Sequence, residues 1–308
     1  MQRLEDFRLF YNHTIHPELM RMEKKRKRLL LLLFFSILLF ISIIILEIYL
    51  DVLALTLFFM VPIGFYASYL LIQIKRFVDA FKPGVVDLVL DFIDDGPNFG
   101  DLKYDSKGLI PKQRFLDSRI FATKAPEYKG EDFIFGKIGE LDFELCELNV
   151  RESSRVQAKM ESVFRGVFLH AKTNIPTQGA IIVWPREFKQ YLTRSIKAFT
   201  AKGGDNIDES LEVESFRELF TTYATPDASI FKTLNYEMQV ELANYTITTG
   251  KEIFASFIGD DIYVGISEPK DILEPYIFRS NVSFDLVKEF FEDLQMLFSI
   301  VDTFDSNN

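Results

Sequence analysis

His170, Cys146 and a run of aspartates are the residues of this chain whose types could do chemistry. A histidine beside carboxylates can act as a general base, but its partners are neighbours in space rather than in sequence. No G-x-S-x-G elbow accompanies His170, which ends an apolar stretch, so a structural hydrogen bond is expected there. Cys146 has no basic neighbour to favour the thiolate and reads as a small packing residue. Asp91, Asp94, Asp95, Asp101 and Asp105 offer the oxygen ligands that hard cations take. Their spacing lacks the alternation and the sixth-position glycine of a calcium loop, so a solvated acidic surface is expected instead. Gly136-Lys137-Ile138-Gly139 has the spacing of an RNA-clamping GxxG loop, yet strand-like rather than helical segments flank it, and a β-turn is expected. Gly203-Gly204 precedes Asp205, not Lys-Ser or Lys-Thr, so no phosphate loop is legible. No catalytic residue, metal ligand or cofactor site is therefore assigned.

Charge narrows the partners. Residues 1–28 carry 8 Lys+Arg against 4 Asp+Glu, and residues 75–308 carry 27 against 39. A domain with a net charge of -12 is a poor nucleic-acid binder, because such binding is driven by phosphate neutralisation. One cysteine excludes a disulfide framework.

The elements that must position everything else lie at 29–74. Apolar runs at 29–46 and 52–72 are separated only by the charged residues Glu47 and Asp51. One helix over this stretch would be about 70 Å long, whereas a bilayer core is about 30 Å thick. The stretch is therefore expected to fold back as a transmembrane helical hairpin with its turn at Glu47–Asp51. Lys24, Lys25, Arg26, Lys27 and Arg28 precede it and Lys75 and Arg76 follow it. Positive charge at both outer ends and none in the turn places both termini in the cytoplasm. A cleaved signal peptide fits less well: the first apolar run is too long, starts late and lacks a small-residue cleavage site. No ionisable residue lies deep in either run, which favours an anchor over an ion pathway.

Four segments follow from this. Residues 1–28 form an amphipathic juxtamembrane helix, with Leu4, Phe7, Phe10, Tyr11, Ile15 and Leu19 at three- and four-residue steps and a break near Pro17. Residues 29–74 are the hairpin, 75–127 a helical connector and loop, and 128–308 a soluble domain. In that domain 133–138, 140–148, 163–170 and 179–185 read as strands, the second with an acidic outer face. Residues 187–199 read as a helix, 211–223 as a strand, and 227–234 and 236–249 as helices. Gly259-Asp260 reads as the turn of a hairpin joining 253–257 to 261–266. Residues 283–304 read as an amphipathic helix with Ser283 as its N-cap. The expected fold class is α+β, with mainly antiparallel strands and packed helices behind an N-terminal two-helix transmembrane hairpin.

The phrases Phe216-Arg-Glu-Leu-Phe220, Tyr223-Ala224-Thr-Pro226-Asp227, then Leu234, Met238 and Leu242, and finally Ile253 to Ile266 with Tyr263-Val264-Gly-Ile266, resemble the bacterial domain-of-unknown-function family 3137. Gly136-Lys-Ile-Gly139 with Phe143, and Val163-Phe-Arg-Gly166-Val-Phe168, resemble its upstream strands. Thr225-Pro226-Asp227 departs from the family's acidic-then-proline order. The resemblance implies a membrane-anchored protein with no assigned activity, in an envelope-associated role, with a LemA-like membrane protein as a partner.

The expected function is a non-enzymatic binding or scaffold module at the bacterial inner (plasma) membrane, crossing the lipid bilayer more than once and engaging a protein partner but no nucleic acid. Two alternatives stand beside it. One is a membrane-tethered hydrolase of unrecognised class, with carboxylates from the acidic loops. The other is a homo-oligomer assembled through Ser36, Ser42 and Gly64 in the spans.

Overall fold

The computed structural model describes residues 4–50, 53–96, 98–153, 160–186, 190–270 and 272–305. The chain divides into two compact units, Gln2–Phe92 with Leu273–Glu289, and Ile93–Ile272 with Phe290–Asn308.

The first unit is helical. Helix α1 (Leu4–Phe10) passes through a π-helical turn (Tyr11–Ile15) into α2 (His16–Leu50). The expected break near Pro17 is thus a widened turn. Proline has no N–H to donate and crowds the preceding turn, and the His16 N–H reaches back to the Tyr11 carbonyl instead. Phe7, Tyr11, Ile15 and Leu19 are buried as their spacing predicts. The rings of Phe7 and Phe10 pack on Phe92 at 5.3 and 4.9 Å, so this face is covered by protein.

Helix α3 (Leu53–Asp94) carries Pro62 and Pro83 inside it. Phe92 meets Phe7, and Met22 comes within 3.0 Å of where a Cβ on Gly84 would sit, so the end of α3 runs back beside the start of α2. Both helices exceed the apolar runs that announced them. Lys24–Arg28 and Lys75–Arg76 are good helix formers, and nothing in them ends a helix already begun. Glu47, assigned to the turn, is a half-buried residue inside α2, because the helix persists to Leu50; Asp51 lies outside the described residues. Among the described residues, two helices are long and apolar enough to cross a membrane. Ser36 and Ser42 donate to the carbonyls of Leu32 and Leu38, four residues back in their own helix.

The second unit is a seven-stranded sheet whose strand pairs are all antiparallel. It contains β1 (Phe99–Asp105), α4 (Lys112–Asp117), β2 (Glu127–Ile138), β3 (Leu141–Ser153), β4 (Met160–Pro185), α5 (Gln190–Thr200) and β5 (Asp205–Asn206). After these come α6 (Glu214–Leu219), β6 (Phe220–Ala224), α7 (Ile230–Thr233), α8 (Tyr236–Thr249), β7 (Ile253–Ser267) and the end of α9 (Phe284–Asp302). The strand order is β1-β2-β3-β4-β6-β5, with β7 also on β4. The fold class is α+β, as expected.

Three local expectations change. Residues 253–266 make one strand, not a hairpin. β4 is 26 residues long and both halves of β7 pair with it, so Gly259-Asp260 bends β7 where the register slips opposite Thr177. For the same reason 163–170 and 179–185 belong to a single strand. Residues 211–223 hold α6 before β6: Val213, Phe216 and Phe220 recur at helical steps and are buried, and the Phe216 and Phe220 rings meet at 4.8 Å. The acidic outer face of β3 extends only through Asp142 and Glu144. From Leu145 to Leu148 both faces are buried, because the sheet is covered on both sides. On one side Cys146, Leu148, Phe164, Phe168, Phe254 and Trp184 pack with Phe115 of α4 and Phe199 of α5. On the other, Phe298 of α9 lies 5.4 Å from Phe99 and 5.0 Å from Phe143, so α9 covers the sheet there.

Candidate functional site

His170 is brought into a charged network by strand register. On β3 its direct cross-strand partner is Glu144, and on β7 it is Tyr263. Asp261 pairs with Lys172, two residues along β4, and so projects on the same face as Tyr263 and His170. Helix α4 adds Arg114. The imidazole Nε2 lies 2.8 Å from Asp261 Oδ1, and Nδ1 lies 3.2 Å from Glu144 Oε1 and 2.9 Å from Arg114 Nη1. Arg114 also pairs with Glu144, and the Tyr263 ring lies 5.0 Å from the imidazole. With Nε2–H donating to Asp261, Nδ1 accepts from the guanidinium; with both nitrogens protonated, Glu144 takes the second N–H. Both nitrogens are occupied in either state. A general base needs a nitrogen within reach of a substrate proton, and no hydroxyl or thiol bonds to this ring among the described residues. The network borders a cavity of about 450 Å³ that Lys103, Lys137 and Lys172 line together with Phe133, Phe135 and Phe143. Burial, with the nearby Asp261 charge, pushes the Tyr263 phenol above its ordinary pKa.

The other chemistry-bearing residues go elsewhere. Cys146 is fully buried, accepts from the Ile110 N–H at 3.3 Å, and is pushed up to about 12, chiefly by burial. Asp91, Asp94, Asp95, Asp101 and Asp105 are exposed; Asp94 accepts from the Leu102 N–H and Asp105 from the Lys107 N–H. Among the described residues none of the five hydrogen-bonds to His170, although Asp101 lines the same cavity; the carboxylates that reach the imidazole are Glu144 and Asp261. Gly136–Gly139 is the end of β2 and the first residue of a two-residue hairpin turn, with Ile138 paired to Leu141. Gly139 has φ +58, as the first position of a type II′ turn requires, and the RNA-clamp geometry is absent at this turn.

Sequence reasoning missed Arg114, Glu144 and Asp261. Alternation placed Glu144 on a strand face, but only the register sets it opposite His170. It also missed Glu131, Asp132 and Glu147, whose carboxylate oxygens come within 4.8 Å of one another. Glu131 and Glu147 are cross-strand partners, and Asp132 joins them at the β2 bulge. These are the residues that could hold a hard cation by donor type.

Of the flanking cations, Lys24, Lys25, Lys27, Arg28, Lys75 and Arg76 are exposed. Arg26 is buried: it pairs with Glu23 and donates to the Ile277 carbonyl.

No curated protein matches the chain. Among solved structures, the crystal structure of the mycobacterial trehalose monomycolate transport factor A, TtfA, aligns with a TM-score of 0.35 and 7% identity, over 66% of this chain and 88% of that one. Residues 162–306, from β4 to the end of α9, match the family model described as protein of unknown function (DUF3137). Of the upstream strands that also resembled the family, Val163–Phe168 lies within the matched residues, and Gly136–Gly139 with Phe143 lies outside them. The segment 162–306 is thus similar to the DUF3137 family, whose model covers just under half of this chain.

Proposed function

We propose that this protein is a membrane-anchored binding module. Helices α2 and α3 cross the plasma membrane, both termini lie in the cytoplasm, and the sheet unit is held there to engage a protein partner. One observation carries the reading: in the most apolar 18-residue windows of these helices only 6% and 11% of residues are buried by protein. Phe34, Phe35, Ile45, Phe58 and Phe65 all point outward. An apolar surface this continuous is unfavourable in water, and a lipid phase removes that cost. The exposed cations at positions 24, 25, 27, 28, 75 and 76 lie at the headgroup-side ends of the apolar runs. The binding role rests on a buried His170 whose two nitrogens are both engaged, which leaves no poised catalytic base at the site described.

Impermeant-maleimide labelling in intact cells tests the topology. Glu47→Cys should label from outside, and Lys24→Cys and Lys75→Cys only after permeabilisation. The reverse pattern refutes the orientation, and equal labelling of all three refutes spanning.

A further inference from the structure

We propose that the cavity between residues 116–126 and α5 binds a phosphate monoester with an apolar ester group. This goes beyond the anchoring and partner-binding reading and stands or falls without it. The cavity has a volume of about 610 Å³, within the range of small-molecule sites. Arg119, Lys124, Arg194 and Lys202 line it, with Glu152 the carboxylate among the lining residues. Glu152 is already balanced: it pairs with Arg194 and accepts from Thr123 Oγ1 at 2.8 Å. Among the described residues Arg119, Lys124 and Lys202 have no carboxylate partner, and Arg194 Nε is buried without a hydrogen-bond acceptor. Cations clustered this way run against the composition of residues 75–308, with its 39 acidic against 27 basic side chains. Three uncompensated charges exceed what one carboxylate balances, and a phosphate dianion offers both the charge and the oxygens that guanidinium forks take.

Beside the hydroxyls of Thr123, Ser153 and Ser195, the remaining wall is apolar: Phe121 and Phe199 are buried beneath it, and Leu116 and Pro126 flank it. That surface suits an aromatic or short acyl body attached to the phosphate. The site is held in shape before any ligand arrives. The Ala122 N–H donates to Ser195 Oγ at 2.7 Å, tying the loop to α5. Arg194, Ser195 and Ala198 share one face of α5 at helical spacing, and Lys202 follows just past its end. Arg119 and Ala125, neither a glycine, hold φ values of 55 and 44, a conformation that costs energy and persists where the surroundings enforce it.

The test is isothermal titration of the full chain in neutral maltoside detergent with phenyl phosphate, inorganic phosphate and phenol. Phenyl phosphate should bind saturably and at least about tenfold more tightly than either half alone, a difference of about 1.4 kcal/mol. The exposed triple variant Arg119→Gln/Lys124→Gln/Lys202→Gln should weaken it by about tenfold or more while leaving the unfolding transition of the sheet unit in place. Lys103→Gln, in the other cavity, should leave binding unchanged. No saturation by phenyl phosphate up to about 10 mM, or a triple variant that binds like the parent, overturns the proposal. Inorganic phosphate binding as tightly as the ester overturns the apolar half, and phenol doing so overturns the anionic half.

Discussion

Replacing Gly166 with alanine should be among the most damaging single-methyl additions to the sheet unit. Gly166 has φ +147, a region closed to side-chain-bearing residues, and sits on β4 between Leu148 of β3 and Ser267 of β7. A Cβ there would overlap the Ile266 carbonyl oxygen and lie 2.6 Å from the Glu268 nitrogen. Both obstacles are backbone, and the Glu268 N–H is itself bonded to the Arg165 carbonyl at 2.8 Å. Relief therefore requires opening β4 from β7. Strain in this region is about 1–3 kcal/mol and each ladder bond lost adds about 1 kcal/mol, so the loss of two bonds gives about 3–5 kcal/mol in all. Gly139→Ala is the internal comparison. Its Cβ would meet the Asp305 carboxylate, the movable end of a side chain whose bond to the Glu140 N–H would be lost. The left-handed conformation costs about 1–2 kcal/mol and the bond about 1 kcal/mol. In an Asp305→Ala background only the conformational cost should remain. The chain has one tryptophan, Trp184, fully buried and donating to the Ile120 carbonyl at 2.9 Å, so its fluorescence reports this unit during urea unfolding in detergent. Equal losses for the two alanine variants, or a loss below about 1 kcal/mol for Gly166→Ala, would refute the reasoning.

Cys146 should resist iodoacetamide at pH 8 in the folded chain and react fully in denaturant, as mass spectrometry of the two samples would show. Stability should fall as pH rises on the alkaline side. Burial raises the folded-state pKa values of Cys146, Tyr128 and Tyr263, so the folded chain keeps protons that the unfolded chain releases. Their contribution is fully present below the ordinary thiol and phenol values, about 8.5 and 10, and each group then removes up to about 1.4 kcal/mol per pH unit. Urea midpoints measured by Trp184 fluorescence from pH 8 upward check this, and a flat profile contradicts it. Arg26→Gln leaves Glu23 buried with its guanidinium partner gone and releases the Ile277 carbonyl, so chymotryptic cleavage after the exposed Phe278 should quicken severalfold. His170→Leu should destabilise the sheet unit by about 2–4 kcal/mol, because Asp261 loses its buried donor, with the urea midpoint as the readout.

What the sequence reveals follows from which signals are local. The two long apolar helices were legible because a long uncharged run has few other uses, and α8 and α9 because of their apolar spacing. The helical state of Glu47 was not, since a charged residue does not end a helix once it has formed. The long strands β4 and β7 looked like four short ones because glycine marks a bend and a reversal alike. His170 was visible as a lone histidine, but Glu144, Asp261 and Arg114 reach it from positions 26, 91 and 56 residues away, through a register no local pattern encodes. The cation cluster beside α5 was hidden for the same reason: Arg119 and Lys202 are far apart in a chain whose composition there is acidic.

The measurement that bears most directly on the central claim is alkaline carbonate extraction of membranes from cells expressing the full chain. An anchor made of α2 and α3 should keep the protein in the membrane pellet at about pH 11 and release it only with detergent, because apolar transfer to lipid does not depend on charge pairing. Recovery of the intact chain in the carbonate supernatant would contradict the account.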